Sequence, residues 1–356
     1  MSDNIAIIIG SLTEKAGSER VVVDSANHLS VDNNVYIFVC GSKISSYEVS
    51  ERVKVISICS EIPKKKINQF FWYFKFILYL NLYCRILSID VAICHWTKLS
   101  ICLPFIYGRI KVWAHEHQND DLLPKWLKLL KSKLYHKLDL VSVLNSSEEI
   151  ISRGKYNEQT FIIPGYVSAE FCNQDLGLQK KCNEMLFVGR LVDEKQPMLM
   201  LEMLMQSGLN ESLWRVKIIG DGPLKSDINN YINDFENGMV ELLKPRELLE
   251  FYKKSKYLLV TSKTEGFGMV IIEAMSQGCV PISFDCDSGP RNIITDGVDG
   301  YLIKSKDDFI EKLKCILKQK NGKFEVMSKA AIEKSKKYSM SNSMFLWEKA
   351  LAELRK

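Results

Sequence analysis

The stretch from Tyr257 to Tyr301 limits what this chain can fold into more than any other. Residues 257–261 form an apolar run of strand type, followed by the turn Gly266-Phe267-Gly268. A helical segment runs from Met269 to near Gly278, a good C-terminal stop, and residues 280–284 read as the next strand. Strand, glycine turn and helix start together make an anion site. Glycines let backbone approach a ligand, and the first amides of a helix lack intrahelical partners. Glu265 precedes the turn and Glu273 follows it with seven residues between them, so both can face one crevice.

A carboxylate can accept hydrogen bonds from two neighbouring hydroxyls of a sugar or ribose. A phosphate-binding turn flanked by two carboxylates therefore suits a nucleotide sugar. The plainer reading is a buried turn beside two solvated glutamates. The block EGFGMVIIE, with its tail AMSQGCVPISFDCDSGPRNIITDGVDGYLI, resembles the retaining glycosyltransferases of family four. These have the GT-B fold and carry a Glu, seven residues, Glu signature. The resemblance is strong after Leu186 and weaker before it. It implies an α/β chain of two Rossmann-like, doubly wound domains with a cleft between them. Residues 1–167 would bind the acceptor, 168–183 link, 184–337 hold the nucleotide sugar, and a helix in 338–356 cross back to the first domain.

A chain of 356 residues is comfortable for two cores. Its ten cysteines include no C-x-x-C pair, and several sit in apolar strand-like runs, so they read as reduced thiols rather than a disulfide frame or zinc site. The start MSDNIAIIIG reads as a strand, not a secretory leader, and no run has the roughly 20 apolar residues a bilayer span needs. A cytoplasmic protein is expected.

The net charge of +5 is unevenly placed. Residues 62–137 hold thirteen Lys and Arg against four Asp and Glu, a local +9, which leaves the remainder near −4. Within them, residues 62–87 are apolar and aromatic on nearly every side after a lysine cluster. Residues 124–138 form a basic amphipathic helix with Trp126, Leu127, Leu130, Leu134 and Leu138 on its apolar face. Either segment could pack on a sheet and present a solvated lysine face. The pair also suits peripheral contact with an anionic membrane.

The resemblance assigns roles residue by residue. Glu265 binds sugar hydroxyls and orients the donor, and Glu273 binds the ribose diol. The amides around Gly268, Met269 and Val270 meet the diphosphate, and Gly266 and Phe267 belong to the same donor site. Gly189, Arg190 and Lys195 match a GR…KG pattern in which Gln196 replaces the last glycine. Arg190 and Lys195 would stabilise charge on the leaving diphosphate, work that a metal does elsewhere. Gly220 belongs to a G-x-G-P turn, backbone near Leu242 and Leu243 holds the base, and Gly17 stands in a reduced form of the family's first glycine turn, beside Ala16. The strand ending in KVWAHEHQN supplies a histidine near the transferred sugar, His117 by pattern or else His115, with Glu116 and Asn119 beside it. Gly165 stands where many relatives have Asn and is given no function.

His115 and His117 share a strand face, but no third metal ligand is apparent in the sequence nearby. Asp285-Cys286-Asp287 has the form of the manganese site of the other large transferase fold, GT-A, yet it comes late in a GT-B pattern. No metal or cofactor is therefore expected. The acceptor hydroxyl would attack from the face the diphosphate leaves, the diphosphate taking its proton. The partners implied are a nucleotide-sugar donor, a glycan or glycolipid acceptor and a membrane surface. A different nucleotide-sugar enzyme, such as an epimerase or hydrolase, and a basic binding protein are the rival readings; no nucleic-acid motif is present. The sequence does not fix the oligomeric state.

Overall fold

The computed structural model describes residues 2–14, 17–117, 120, 123–172, 181–235, 238–245, 247–286, 288–318 and 322–356. Ala16, Asn119, Asp287 and the middle of the expected linker, 173–180, lie outside them. The chain forms two compact units, Met1–Pro164 with Ser343–Lys356, and Gly165–Asn342.

The first unit carries β1 (Asn4–Ile8), β2 (Asn34–Cys40), β3 (Val53–Cys59), β4 (Val91–Cys94), β5 (Lys111–His115), β6 (Leu140–Val143) and β7 (Thr160–Ile162). They pair in parallel in the order β3-β2-β1-β4-β5-β6-β7. The second unit carries β8 (Cys182–Val188), β9 (Arg215–Ile219), β10 (Val240–Leu243), β11 (Ser255–Val260), β12 (Val280–Phe284) and β13 (Tyr301–Ile303). These are parallel in the order β10-β9-β8-β11-β12-β13. Helices cover both faces of such sheets, so the strands read as continuous apolar runs, and Ile5, Ala6, Ile7 and Leu186 are fully buried. Two doubly wound α/β units in one chain are the GT-B class. Strand order reverses between β1 and β4 and between β8 and β11, the positions at which open parallel sheets bind ligands.

The residues expected to link the units are partly ordered into them. Ala169–Cys172 is a helical turn, and Cys182 and Asn183 open β8. Cys40, Cys59, Cys84, Cys94, Cys102, Cys182, Cys279, Cys286 and Cys315 are free thiols.

The aromatic segment forms the 21-residue helix Lys66–Ile86. Trp72, Phe76, Leu80 and Cys84, four residues apart, are buried in the core. The opposite face stays apolar and exposed, with Phe70, Phe71 and Phe74 each more than 60% accessible. No helix among the described residues is long and apolar enough to cross a membrane.

The second basic helix, Lys125–Leu134, is rotated from the expected pose. Leu127 and Leu138 are buried as expected, but Trp126 and Leu130 face outward with Leu129. Lys131 turns inward instead. Its Nζ lies 3.3 Å from Glu116 Oε2 and 3.2 Å from Asp120 Oδ1. Tyr135 Oη also donates to Glu116 Oε1 (2.5 Å), Thr97 Oγ1 to Oε2 (2.7 Å), and Tyr156 to Asp120. A lysine can be buried only when paired in this way. Burial opposes charge on Lys131, but Glu116 and Asp120 outweigh it and raise its pKa. An amphipathic pattern cannot reveal this, because the two acids come from a distant loop.

The helix Met340–Leu354 brings Trp347 into the first unit. Its indole is fully buried, with ring centroids 4.7 Å from Trp113, 4.9 Å from His115 and 5.4 Å from His95. Arg355 pairs with Asp3 at 2.7 Å. Truncating a buried Trp removes both transfer energy and packing. Trp347→Ala is expected to destabilise the first unit by about 3–5 kcal/mol, read as an early urea transition.

Glu148 follows β6, its N–H donating to the helix-capping Asn145 Oδ1 (2.9 Å). Its carboxyl is buried, with Oε2 accepting from the Leu144 amide (3.3 Å) and Oε1 unpaired among the described residues. Burial pushes the pKa up to about 7, although the hydrogen bonds from Leu144 and Asn145 pull it down. A folded-state pKa above the unfolded value stabilises fully at low pH, and that contribution is lost as pH rises through 7. Glu148→Gln is therefore expected to change urea stability by less than about 1 kcal/mol at pH 5 and to raise it by about 1–3 kcal/mol at pH 8.

Candidate active site

In the second unit, the turns that follow β8, β9 and β11 converge at the strand-order reversal. After β8, the Gly189 amide donates to the Ile219 carbonyl (3.1 Å). A Cβ on Gly220, after β9, would lie 2.0 Å from the Gly189 oxygen, so only glycine lets these turns touch. The Gly220 amide in turn donates to the Leu243 carbonyl (3.3 Å) at the end of β10. The loop from Arg190 then reaches Gln196, whose φ of 50° and ψ of 47° are left-handed. This is the position where the family pattern has glycine. The backbone keeps the glycine conformation at a cost of about 1–2 kcal/mol, and Pro197 begins the next helix.

Glu265 follows β11. Lys195 Nζ donates to its Oε1 at 2.6 Å, and Ser262 Oγ donates to the same oxygen at 2.6 Å. Oε2 makes no hydrogen bond among the described residues. Two donors thus fix the carboxylate and leave one oxygen for a ligand. Ser288 Oγ donates to the Glu265 carbonyl, and Gly289, at φ 65°, passes so close that a Cβ would stand 2.8 Å from both Glu265 Cβ and the Phe267 oxygen. The serine and glycine of the Ser288-Gly289-Pro290-Arg291 segment therefore brace the turn from behind.

Gly268 caps the Met269–Ser276 helix at φ 95°. The amides of Gly266, Phe267, Gly268, Met269 and Val270 have no hydrogen-bond partner among the described residues. Five successive unpaired donors at a helix start form an anion cradle. Gly165 packs against this turn, since a Cβ there would meet Met269 Sδ at 2.5 Å and Phe267 Cδ1 at 2.6 Å. Glu273 is 6% exposed and Glu265 8%, so neither is a solvated surface residue. Tyr252 Oη lies 3.4 Å from Glu273 Oε2.

The two cations differ. Lys195 is tied to Glu265, whereas Arg190 is exposed and has no ion pair among the described residues. Asp285 pairs with Arg291 at 2.8 Å, and its neighbour Cys286 is buried.

In the first unit, His95 and His117 follow β4 and β5, and His115 ends β5. His115 is buried, with Nδ1 2.6 Å from Ser142 Oγ, which also accepts from Trp113 Nε1 (2.7 Å). His117 is half-buried, with Nε2 2.9 Å from His95 Nδ1. Burial pushes the His117 imidazole down to about 4, against the pull of Glu116. The three rings offer nitrogens within 4.8 Å of one another. The third imidazole of this group is His95, more than twenty positions upstream of His117 and adjacent only after β4 and β5 pair. Gly17 is exposed at the start of the helix Gly17–Leu29. The close approach in this unit belongs to Gly10, where a Cβ would lie 2.3 Å from the Trp96 ring.

Residues 169–337 match the family model described as Glycosyl transferases group 1. The chain is 26% identical to the Campylobacter jejuni GalNAc-alpha-(1->4)-GalNAc-alpha-(1->3)-diNAcBac-PP-undecaprenol alpha-1,4-N-acetyl-D-galactosaminyltransferase, over 99% of each protein. It is 25% identical to the amylovoran biosynthesis glycosyltransferase AmsD of Erwinia amylovora, over 84% of this chain and 85% of that one. Among solved structures it is similar to the lipopolysaccharide outer core galactosyltransferase WaaB in its apo form, with a TM-score of 0.75 and 21% identity over 98% of this chain and 99% of that one. The sucrose-phosphate synthase of Thermosynechococcus elongatus superposes with a TM-score of 0.78 at 17% identity, over 99% of each chain. Likeness at these identities is likeness of fold. The second unit thus matches the group 1 glycosyl transferase model over residues 169–337, and the chain as a whole is similar to bacterial polysaccharide glycosyltransferases.

Proposed function

We propose that this protein is a retaining glycosyltransferase that moves a hexose from a UDP-sugar to a lipid-linked or lipopolysaccharide-type glycan during bacterial surface polysaccharide synthesis. The observation that carries the reading is the pairing of the amide cradle at Gly266–Val270 with the half-used carboxylate of Glu265. The cradle suits a diphosphate, and Glu265 Oε2 suits a sugar hydroxyl. Glu273 is the acceptor group for the ribose diol, and Leu243 lies beside the base.

Arg190 is the cation free to meet the leaving diphosphate. Lys195 holds Glu265 and can share its remaining N–H groups with a phosphate oxygen. Fixed cations of this kind stabilise charge where it develops. No nucleophile on the far face of the sugar is invoked: the acceptor hydroxyl attacks from the side the diphosphate leaves, and a diphosphate oxygen takes its proton. His117, the more accessible of the two candidate histidines, is the one we assign to the transferred sugar. The first unit is proposed to bind the acceptor. The C. jejuni relative, by its name, works on an undecaprenol-linked glycan, and a lipid-linked acceptor suits the exposed Phe70, Phe71 and Phe74 beside the Lys64–Lys66 run. The enzyme would then work on the inner face of the plasma membrane.

The test is UDP release from a panel of UDP-sugars by purified protein in chelator, without acceptor. Slow release from one donor is expected, and both Arg190→Ala and Glu265→Gln should lower it about 100-fold or more. Silence across the panel, with no thermal protection by UDP, would overturn the transferase reading. Loss on chelation that manganese restores would overturn the metal-free site.

Membrane contact is checked by sedimentation with phosphatidylglycerol vesicles. Each buried Phe contributes about 1.5–3 kcal/mol, so Phe70→Asp combined with Phe74→Asp should weaken binding at least about tenfold. Equal binding by wild type and variant would remove this helix from the proposal.

A further inference from the structure

The three histidines of the first unit form a cluster that the proposed transfer, which uses only His117, leaves unexplained. We propose that His95, His115 and His117 form a binding site for one divalent transition-metal ion of the zinc class. Imidazole is the ligand type that suits zinc, and three imidazoles from two adjacent strand ends make a ligand set with a fourth position open. The ring centroids lie 4.6–5.2 Å apart, and one nitrogen from each ring falls within 4.8 Å of the other two. Zinc–nitrogen bonds of about 2.0–2.1 Å require these nitrogens to approach within about 3.4 Å of one another. His95 Nδ1 and His117 Nε2 lie 2.9 Å apart, so these two rings already adjoin.

Two further observations favour a ligand over a simple ring stack. His95 Nε2 is buried without a hydrogen-bond partner among the described residues, a costly state for a packed histidine. His115 is held from behind through Nδ1 by Ser142, itself held by Trp113, which leaves Nε2 for an ion. Metal-bound histidines characteristically have their second nitrogen fixed in this way. Trp347 closes the cluster against His95 and His115. His117 is the least buried of the three.

If His117 serves the transferred sugar, as proposed above, an ion on its ring withdraws it from that role. Zinc then acts as an inhibitor of transfer and not as its catalyst.

The test uses the full-length protein, stripped with chelator and then titrated with zinc chloride by calorimetry and with cobalt(II) by visible absorption. One equivalent of zinc should bind, and cobalt should give the visible bands of a low-coordinate nitrogen site. His95→Phe keeps an aromatic ring against Trp347, and His95→Gln covers the case in which that variant misfolds. In the folded variant, affinity should fall at least about 100-fold. His28→Ala and His136→Ala, the two histidines outside the cluster, should leave binding unchanged. Absence of zinc binding to the wild type would overturn the proposal, as would binding that survives loss of His95 or follows His28 or His136. No sugar donor enters this measurement, so its failure leaves the transferase reading standing.

Discussion

Strands β8 and β11 pair side by side, Met185 opposite Tyr257 and Leu186 opposite Leu258, yet their successors lie on opposite sides of them in the sheet. The chain leaving β8 goes toward β9 and the chain leaving β11 toward β12. Two loops diverge above two adjacent strands, and the space they open holds a carboxylate, a lysine and a row of unpaired amides. The Lys195–Glu265 bond spans this divergence, joining the loop after β8 to the loop after β11. The glycines at 220 and 289 have the same origin: where several turns converge on one point, a side chain has no room.

How much of this was legible in the sequence depended on the range of the interactions. The doubly wound architecture was implied by the family resemblance of the Glu265–Glu273 block, and the apolar strand runs, which follow from burial of both faces of a parallel sheet, agree with it. The anion-binding turn was readable because glycines, helix start and flanking glutamates sit within about a dozen residues. Arg190 and Lys195 are local to their own strand end, and their spacing marked them. Ser262 and Ser288, which hold Glu265, carried no such signal. A serine near a turn has many uses, and only the folded chain shows which one it serves.

The first unit hid more, for the same reason. A helical wheel places Lys131 among solvated lysines, since the wheel knows only periodicity. Its burial follows from Glu116 and Asp120, carried by a loop that the wheel does not include. In the sequence His95 merely follows the apolar run Val91 to Cys94, with nothing local to mark it. Its partnership with His117 arises because parallel neighbours bring equivalent ends together whatever their distance in the chain. A position's chemistry was hardest to read where its partners arrive through sheet pairing.

The last helix places Trp347 in the core of a unit that otherwise ends at Pro164. The first unit is therefore discontinuous along the chain, and the second, Gly165–Asn342, is not. During synthesis, at about 5–20 residues per second, the amino-terminal sheet leaves the ribosome long before the residue that seals its histidine layer. The unit made second can complete its core first. Until Trp347 emerges the earlier unit remains unsealed, with Trp113, His95 and His115 lacking the ring that covers them. A unit continuous in the chain can therefore complete its set of elements before one that is split, although its first residue is made later.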